Sequence, residues 1–230
     1  MQHLAAPHRY VLNYKNLKFK TVWVEYPDIE SVAKEIGAPP TSTKSQDGTP
    51  FYTLPILRDL HNGRVISDSI LIADYLDSTY PTTPPVIPVG TYGLFRALDD
   101  AITSSFTVAM APFLVPKVLT KLNPASQPYF RRTREVRFGK KLEDVPPSEE
   151  TRDQEWKKVD AALVKITAWY KSPEDVYITG NQLSFADMQI GSYILFVKTI
   201  LGEDSYEWKM LCSGQGGRWK RLIEKLKEFQ

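Results

Sequence analysis

One short stretch of this chain suits the binding of an anionic group. In "ISDSILIADYL", the residues Ser67, Asp68 and Ser69 precede apolar residues at helical spacing. A helix that begins here presents free backbone N–H groups and a hydroxyl at its positive end, where a carboxylate binds well. The simpler interpretation is that Ser67 caps the helix and that Asp68 favours the helix dipole. Both interpretations require a helix to start at this point.

Other sets of reactive residues carry weaker signals. Cys212 is the only cysteine, so an intrachain disulfide and a multi-cysteine metal site are excluded, which fits a reducing compartment. We predict no metal site. The basic run "RRTREVRFGKK" is a candidate for contact with phosphates or an acidic membrane, but Glu143 and Asp144 follow it closely. We therefore interpret it as a solvated helix face.

The composition is that of an ordinary soluble globular protein. The 230 residues are 42% hydrophobic and 24% charged, and the formal net charge is +2, which argues against a general nucleic-acid binder. No uninterrupted apolar run approaches the roughly 20 residues that span a bilayer, and the first residues lack a signal-peptide pattern. We expect a cytoplasmic protein with no nucleic-acid or membrane partner.

The first eighty residues alternate between helical and strand patterns. The predicted order is helix, strand, helix, loop, strand, strand, helix. The last two strands are joined by "NG", which is typical of a two-residue hairpin turn. The segments that carry this order are "RYVLNYKN", "FKTVWVEY", "DIESVAKEIG", "PPTSTKSQDGTP", "YTLPILRD", "RVIS" and "SDSILIADYLDSTYP".

The chain after Pro88 is predicted to be almost entirely helical. Residues 92–118 form one long helix that Pro112 and Pro116 should bend or break. Apolar residues at helical spacing predict another helix over 151–170, and the segment between the two is interpreted as a variable excursion. We divide the chain into a first domain at 1–81, a linker at 82–90 and an all-helical domain at 91–230.

The most complete helix start in the chain lies in "LSFAD". Ser184 can accept a hydrogen bond from the N–H of Asp187 while the Asp187 carboxylate accepts from the N–H of Ser184, which is a capping box with Asp in place of Glu. Leu183 can pack against Met188 as a hydrophobic staple. The apolar residues that follow predict a buried helix, whose first N–H groups need partners inside the protein.

The run "GNQLSFADMQIGSYI" resembles the start of the buried helix in the all-helical domain of glutathione transferases. The first domain of that family is thioredoxin-like, and the predicted order of elements is similar to it from the first helix onward. The resemblance implies an α/β thioredoxin-like N-terminal domain, incomplete at its start, followed by an all-α C-terminal domain. The residues in the family's places are Gly180, Asn181, Leu183, Ser184, Ala186 and Asp187.

Two further stretches resemble the glutathione site of the family. "TLPIL" is similar to its loop with a cis proline, here Pro55, which would leave the Leu54 backbone able to pair with the cysteinyl backbone of glutathione. The alternative is a trans proline entering an edge strand. Asp68 and Ser69 match the family's acidic residue and serine. Glutathione is thus the implied cosubstrate, with its ammonium group facing Asp68 and its γ-glutamyl carboxylate at the helix start.

The aromatic stretch "VWVEYPDIE" looks most like fungal transferases related to bacterial etherases. Such relatives often bind or transform wood-derived phenolics, which implies a hydrophobic acceptor site along the long bent helix. Our candidates for its lining are Phe106, Met110 and Phe113, and the alternative is that these residues are ordinary core packing. The family resemblance also implies a homodimer.

The sequence departs from the family pattern at its amino terminus. Relatives begin with a strand and a loop carrying the Ser, Cys or Tyr that stabilises the glutathione thiolate, and no such residue precedes Tyr10. The expectation is a truncated or alternative amino terminus, with a shortened ligand-binding form as the competing idea. His3 and His8 are poor substitutes, because histidines near a chain terminus usually have no such role.

The sequence therefore favours a glutathione transferase-like protein that conjugates or reductively cleaves hydrophobic or aromatic electrophiles, as in detoxification. A non-catalytic carrier for hydrophobic small molecules, or ligandin, predicts binding without turnover. A regulatory protein that reuses the fold predicts a protein partner and no glutathione affinity.

Overall fold

The N-terminal part of the chain begins with two short helices. The structure, a computed structural model, describes residues 6–44 and 47–230. Helix α1 spans Pro7–Tyr14 and helix α2 spans Ile29–Glu35. Gly37, at a φ of 72°, follows α2 in a backbone conformation that favours glycine. Both helices agree with the sequence prediction.

Residues 18–25 carry most of the predicted strand "FKTVWVEY" but form no strand. Their backbone N–H groups donate to no backbone acceptor among the described residues, and the side chains of Val22 and Trp23 are 73% and 43% exposed. The residue types favour a strand, but a strand also needs a neighbouring segment to complete its ladder. No segment of the described chain pairs with this one, so the prediction is wrong.

Two antiparallel pairs of short strands follow in the described part of the chain. Strand β1 (Ser42–Thr43) pairs with β2 (Pro50–Phe51), and β3 (Ile56–Arg58) pairs with β4 (Val65–Ser67). The second pair is the hairpin predicted from the sequence. The first pair lies in the segment that was expected to be loop only.

The loop of the second hairpin is longer than predicted. The Asp59 N–H donates to the Arg64 carbonyl oxygen over 2.8 Å, so residues 60–63 form a four-residue loop, and the expected two-residue "NG" turn is wrong. The buried Asp59 carboxylate accounts for the difference, because it accepts a hydrogen bond from the N–H of His61 at 2.8 Å and stabilises a wider turn.

Helix α3 spans Ser69–Thr79. Near its C-terminal end, an ion pair connects it to the residue that follows α1. The Asp77 carboxylate lies 2.5 Å from the Nζ atom of Lys15, whose side chain is fully buried. The same Nζ atom donates to the Thr83 hydroxyl and the Pro84 carbonyl oxygen. A buried cation requires such partners, and this set fixes the proline-rich linker against the first helix.

The long helix of the C-terminal half has an interruption that the sequence did not predict. Helix α4 (Tyr92–Ile102) runs through a π-helical stretch at 103–107 into α5 (Val108–Leu119). Pro112 and Pro116 lie inside α5 and do not end it. The break in regular geometry therefore precedes both prolines, in a stretch where Ser and Thr hydroxyls bond to backbone carbonyl oxygens of the preceding turn.

By length and composition, the continuous run from Tyr92 to Leu119 is also long and apolar enough to cross a membrane. The core helix of a soluble protein passes the same test. In this structure its second part, α5, packs against helices of the same domain.

Helix α6 (Gln127–Phe138) occupies the segment interpreted as a variable excursion. The Tyr26 N–H donates to the Ser126 hydroxyl at 2.9 Å. The Glu25 carboxylate accepts hydrogen bonds from the Asn123 side-chain amide at 2.6 Å and from the Ser126 hydroxyl. These bonds hold the start of α6 against the N-terminal part of the chain, so the segment has a defined place.

The basic run on α6 is largely at the surface, in agreement with the sequence interpretation. Arg131 lies between two carboxylates, 3.0 Å from Glu135 and 2.7 Å from Glu143. Arg134 differs, because its guanidinium lies 4.8 Å from the centre of the Phe130 ring and is half-buried.

Helix α8 is the central element of the helical domain. It packs against α1, α4, α5 and the last two helices. Gly191 allows its close contact with the last helix, because an added Cβ would lie 2.1 Å from Leu226 Cδ1. The remaining helices are α7 (Glu149–Thr167), α8 (Phe185–Leu201), α9 (Tyr206–Ser213) and α10 (Arg218–Leu226).

The predicted capping box at the start of α8 is confirmed. The Ser184 N–H donates to Asp187 Oδ2 at 2.9 Å, and the other carboxylate oxygen accepts from the N–H of Ile178 at 2.8 Å. Burial raises the pKa of Asp187 to about 6, although these hydrogen bonds oppose the shift. Leu183 and Met188, the expected staple, are both buried.

One hydrophobic core extends through both parts of the molecule. Tyr10 and Val11 of α1 and Ile72 of α3 belong to the same cluster as Ile190 and Ile194 of α8. The domain division at 1–81, 82–90 and 91–230 stays a prediction.

Candidate functional site

The Leu54–Pro55 peptide bond is cis, as the resemblance implied. The pairing of β3 with β4 sets Ile56 opposite Ser67. Pro55 therefore comes next to Asp68, whose N–H donates to the Pro55 carbonyl oxygen over 3.3 Å. The hairpin register thus brings the two predicted motifs together at one end of α3.

Leu54 presents both its side chain and its backbone at this place. Its side chain is 43% exposed. Among the described residues, its N–H donates to no backbone carbonyl and its carbonyl oxygen accepts from no backbone N–H. An extended peptide can satisfy such groups by lying alongside them.

Asp68 is the N-cap of α3, with a φ of 83°. One oxygen of its carboxylate accepts a hydrogen bond from the N–H of Ile70 at 3.1 Å. The simpler interpretation of the sequence, in which Ser67 caps the helix, is therefore wrong. The Ser67 hydroxyl is buried and donates instead to the Pro39 carbonyl oxygen at 2.7 Å.

Ser69 opens α3 with hydrogen-bonding capacity unused. In the part of the chain that the structure describes, neither its hydroxyl nor its backbone N–H has a hydrogen-bond partner. Both groups lie at the positive end of an eleven-residue helix, where an anionic group is favoured.

A polar network that the sequence analysis missed connects this site to the helical domain. Arg96 Nη1 on α4 lies 3.4 Å from Asp68 Oδ2 and 3.8 Å from Asp99 Oδ2. The Gln189 side-chain amide on α8 donates to the other oxygen of Asp99. Burial raises the pKa of the Asp99 carboxyl, while the Gln189 hydrogen bond acts in the opposite direction. Arg96 and Asp99 lie three positions apart on one face of a helix, and this spacing could have predicted their ion pair from the sequence.

The three residues expected to line a hydrophobic acceptor site are buried in the core. Phe106, Met110 and Phe113 are 3%, 0% and 7% exposed and belong to the core of the helical domain. The Phe113 ring packs edge-on against Trp156, with 5.9 Å between ring centres. The structure therefore places all three in the packing alternative and does not bring them together with Pro55 and Asp68.

The reactive side chains outside this site offer little chemistry. Burial and the charge of Arg9 lower the pKa of His8 to about 4, so its imidazole is neutral at pH 7 and supplies no positive charge to a thiolate. His3 lies outside the described residues. Burial raises the pKa of the Cys212 thiol, which disfavours the reactive thiolate. Residues 6–44 and 47–230 contain no group of three or more His, Cys, Asp or Glu side chains able to hold a metal.

A cis proline beside a helix start, followed by a set of packed helices, is the arrangement of a thioredoxin-like domain joined to a helical one. Two family models match in the same order: "Glutathione S-transferase, N-terminal domain" over residues 6–79 and "Glutathione S-transferase, C-terminal domain" over residues 93–229. The chain belongs to the glutathione S-transferase family, and its fold is that of the family, with few strands in the first domain.

Solved structures of fungal proteins are similar over nearly the whole chain. A glutathione S-transferase of Ceriporiopsis subvermispora, crystallised in complex with glutathione, is 43% identical with a TM-score of 0.92 and covers 97% of this chain and 89% of its own. A glutathione transferase of Phanerochaete chrysosporium is 37% identical with a TM-score of 0.90, over 97% and 88% of the two chains.

A curated relative gives a shorter match. The glutathione S-transferase-like protein ustS of Aspergillus flavus is 34% identical over 151 residues, which is 62% of this chain and 52% of that protein. The match therefore spans about half the length of this relative.

Proposed function

We propose that this protein binds glutathione across Leu54, Pro55, Asp68 and Ser69 and transfers it to a hydrophobic or aromatic electrophile. The observation that carries the proposal is the register of the β3–β4 hairpin, which sets the cis proline beside the start of α3. The fungal relative crystallised with glutathione supports the choice of ligand.

Each part of the tripeptide has a partner of matching chemistry in this proposal. The free backbone groups of Leu54 pair with the cysteinyl residue. The unused donors of Ser69 receive the γ-glutamyl carboxylate, and the Asp68 carboxylate receives the ammonium group. The cysteinyl thiol of the bound peptide loses its proton to solvent, and the resulting thiolate sulfur attacks the acceptor.

The reaction forms a carbon–sulfur bond at the electrophilic carbon of the acceptor. The bond from that carbon to a halide or phenolate oxygen breaks, and the leaving group departs with the electron pair. The hydrophobic acceptor, the cytoplasmic location and the homodimer belong to this proposal, and the acceptor site is no longer assigned to Phe106, Met110 and Phe113.

The test is calorimetric titration of glutathione into the wild type and into Asp68→Asn. Asparagine retains a cap oxygen for the Ile70 N–H but loses the charge that attracts ammonium, so we expect affinity to fall about tenfold while the fold is kept. Asp153→Asn, at an exposed aspartate on α7, serves as the matched control and should bind like the wild type.

Turnover is measured in the same preparations with an activated chloronitrobenzene, which releases chloride as the thioether forms. Wild-type conjugation above the uncatalysed rate supports the transferase. Glutathione binding without turnover identifies a carrier. An absence of glutathione binding in the wild type would contradict the proposal as a whole.

A further inference from the structure

Arg96 is the one cation that the structure places against the Asp68 carboxylate in the described chain. Its guanidinium lies 3.4 Å from Asp68 and 3.8 Å from Asp99, and the Asp99 carboxylate is itself held by the Gln189 amide from α8. An arginine placed between two carboxylates has a restricted orientation. Its side chain is nevertheless 44% exposed, and in the described chain its contacts to both carboxylates are made by Nη1 alone, which leaves the other guanidinium donors available.

A cation between two neighbouring carboxylates reduces the repulsion between them. Burial raises the pKa of Asp99, and the negative charge of Asp68 adds to that effect. Arg96 counters both carboxylates at once. This arrangement leaves opposite charges side by side at the start of α3, with Asp68 negative and Arg96 positive.

The head group that the proposed function brings to this place carries the same two charges. The γ-glutamyl residue of glutathione ends in an ammonium group and a carboxylate on one carbon atom. A guanidinium binds a carboxylate through two parallel hydrogen bonds, and a carboxylate binds ammonium strongly. The charge pair in the protein therefore complements the charge pair in the ligand.

We propose that Arg96, from the helical domain, joins the Ser69 donors in binding the α-carboxylate of the γ-glutamyl residue, beside the ammonium group at Asp68. Asp99 and Gln189 act as positioning residues that keep Arg96 turned toward α3. This inference rests on the proposed glutathione site and assigns it one further ligand-binding residue from the helical domain.

The experiment compares Arg96→Gln with the wild type by calorimetry, using glutathione and 4-aminobutanoyl-cysteinylglycine. The second compound is glutathione without the α-carboxylate. We expect Arg96→Gln to weaken glutathione binding about tenfold and to leave the binding of the decarboxylated compound unchanged. Arg96→Lys should recover part of the loss, because it restores the charge without the planar fork.

Arg131→Gln is the matched control. Arg131 is 41% exposed and also lies between two carboxylates, but it stands on α6. Its replacement should leave both affinities as in the wild type.

Two results would overturn the inference while the wild type still binds glutathione. One is unchanged glutathione affinity in Arg96→Gln. The other is an equal loss for both compounds, which would mean that Arg96 only supports the fold of the site. If the wild type binds neither compound, the proposed function itself fails, and this inference fails with it.

Discussion

His8 is a residue whose burial has a measurable cost at low pH. It is half-buried on α1, and its Nδ1 atom has no hydrogen-bond partner among the described residues. Burial, with a contribution from Arg9, lowers its pKa from 6.5 to about 4. The unfolded chain therefore binds a proton between these two values and the folded protein does not. Stability must fall as pH drops through this window.

We expect the wild type to lose at most about 2 kcal/mol more free energy of unfolding than His8→Gln between pH 7 and pH 5. Urea unfolding followed by circular dichroism at several pH values measures this difference. His61→Gln, in the exposed hairpin loop, should follow the wild-type profile. Parallel profiles for the wild type and His8→Gln would show that His8 titrates normally.

Residues with local partners were predictable from the sequence, and residues with distant partners were not. Ser184 and Asp187 lie three positions apart on one helix start, so their mutual hydrogen bonds follow from spacing alone. Ser67 looked like a cap by the same reasoning, but its hydroxyl bonds to Pro39, which a loop brings near it. The pairing of Asp68 with Arg96 depends on how α4 docks, and the residues do not reveal that docking.

At the scale of elements, the close contact between α8 and α10 depends on one glycine. Gly191→Ala would place a Cβ 2.1 Å from Leu226 Cδ1, and Leu226 is fully buried with little room to move. We expect a loss of about 1–3 kcal/mol in the free energy of unfolding. Gly93→Ala, on α4 with open space around it, should be neutral or slightly stabilising.

Thermal unfolding of the two alanine variants tests this expectation. A double-mutant cycle that adds Leu226→Ala to Gly191→Ala should show coupling, because the smaller side chain removes the clash. Equal melting temperatures for Gly191→Ala and Gly93→Ala would contradict the packing argument.

The helices were predicted better than the strands. A helix satisfies its own backbone groups, so apolar spacing and a cap are sufficient to place α3 and α8. A strand depends on a neighbour, and residues 18–25 have strand-forming side chains without a partner in the described chain. The sequence did not predict the π-helical stretch at 103–107. The two prolines that were expected to bend or break the long helix lie beyond it, inside α5.

At the scale of the whole molecule, the shared core predicts that the two halves unfold together. Asp59 tests this, because its carboxylate is buried in the N-terminal half and accepts hydrogen bonds from the hydroxyls of Tyr75 at 2.6 Å and Tyr80 at 2.8 Å. Asp59→Asn should lower the free energy of unfolding by about 1–3 kcal/mol.

Tryptophan fluorescence reports chiefly on the helical half, which contains four of the five tryptophans. In a single cooperative unit, Asp59→Asn shifts the fluorescence and circular dichroism midpoints in urea by the same amount. Asp47→Asn, at an exposed loop position, should shift neither. A fluorescence midpoint that stays at the wild-type value would show that the halves unfold separately.

The exposed stretch at residues 18–25 also bears on how the protein behaves in concentrated solution. Val22 and Trp23 face water beside backbone groups that form no ladder with the described residues, and such an edge favours pairing with another copy. Lys18 and Lys20 act as gatekeepers, because bringing two like-charged stretches together is unfavourable. Salt screens that repulsion, so we expect concentrated stocks to keep best at low ionic strength.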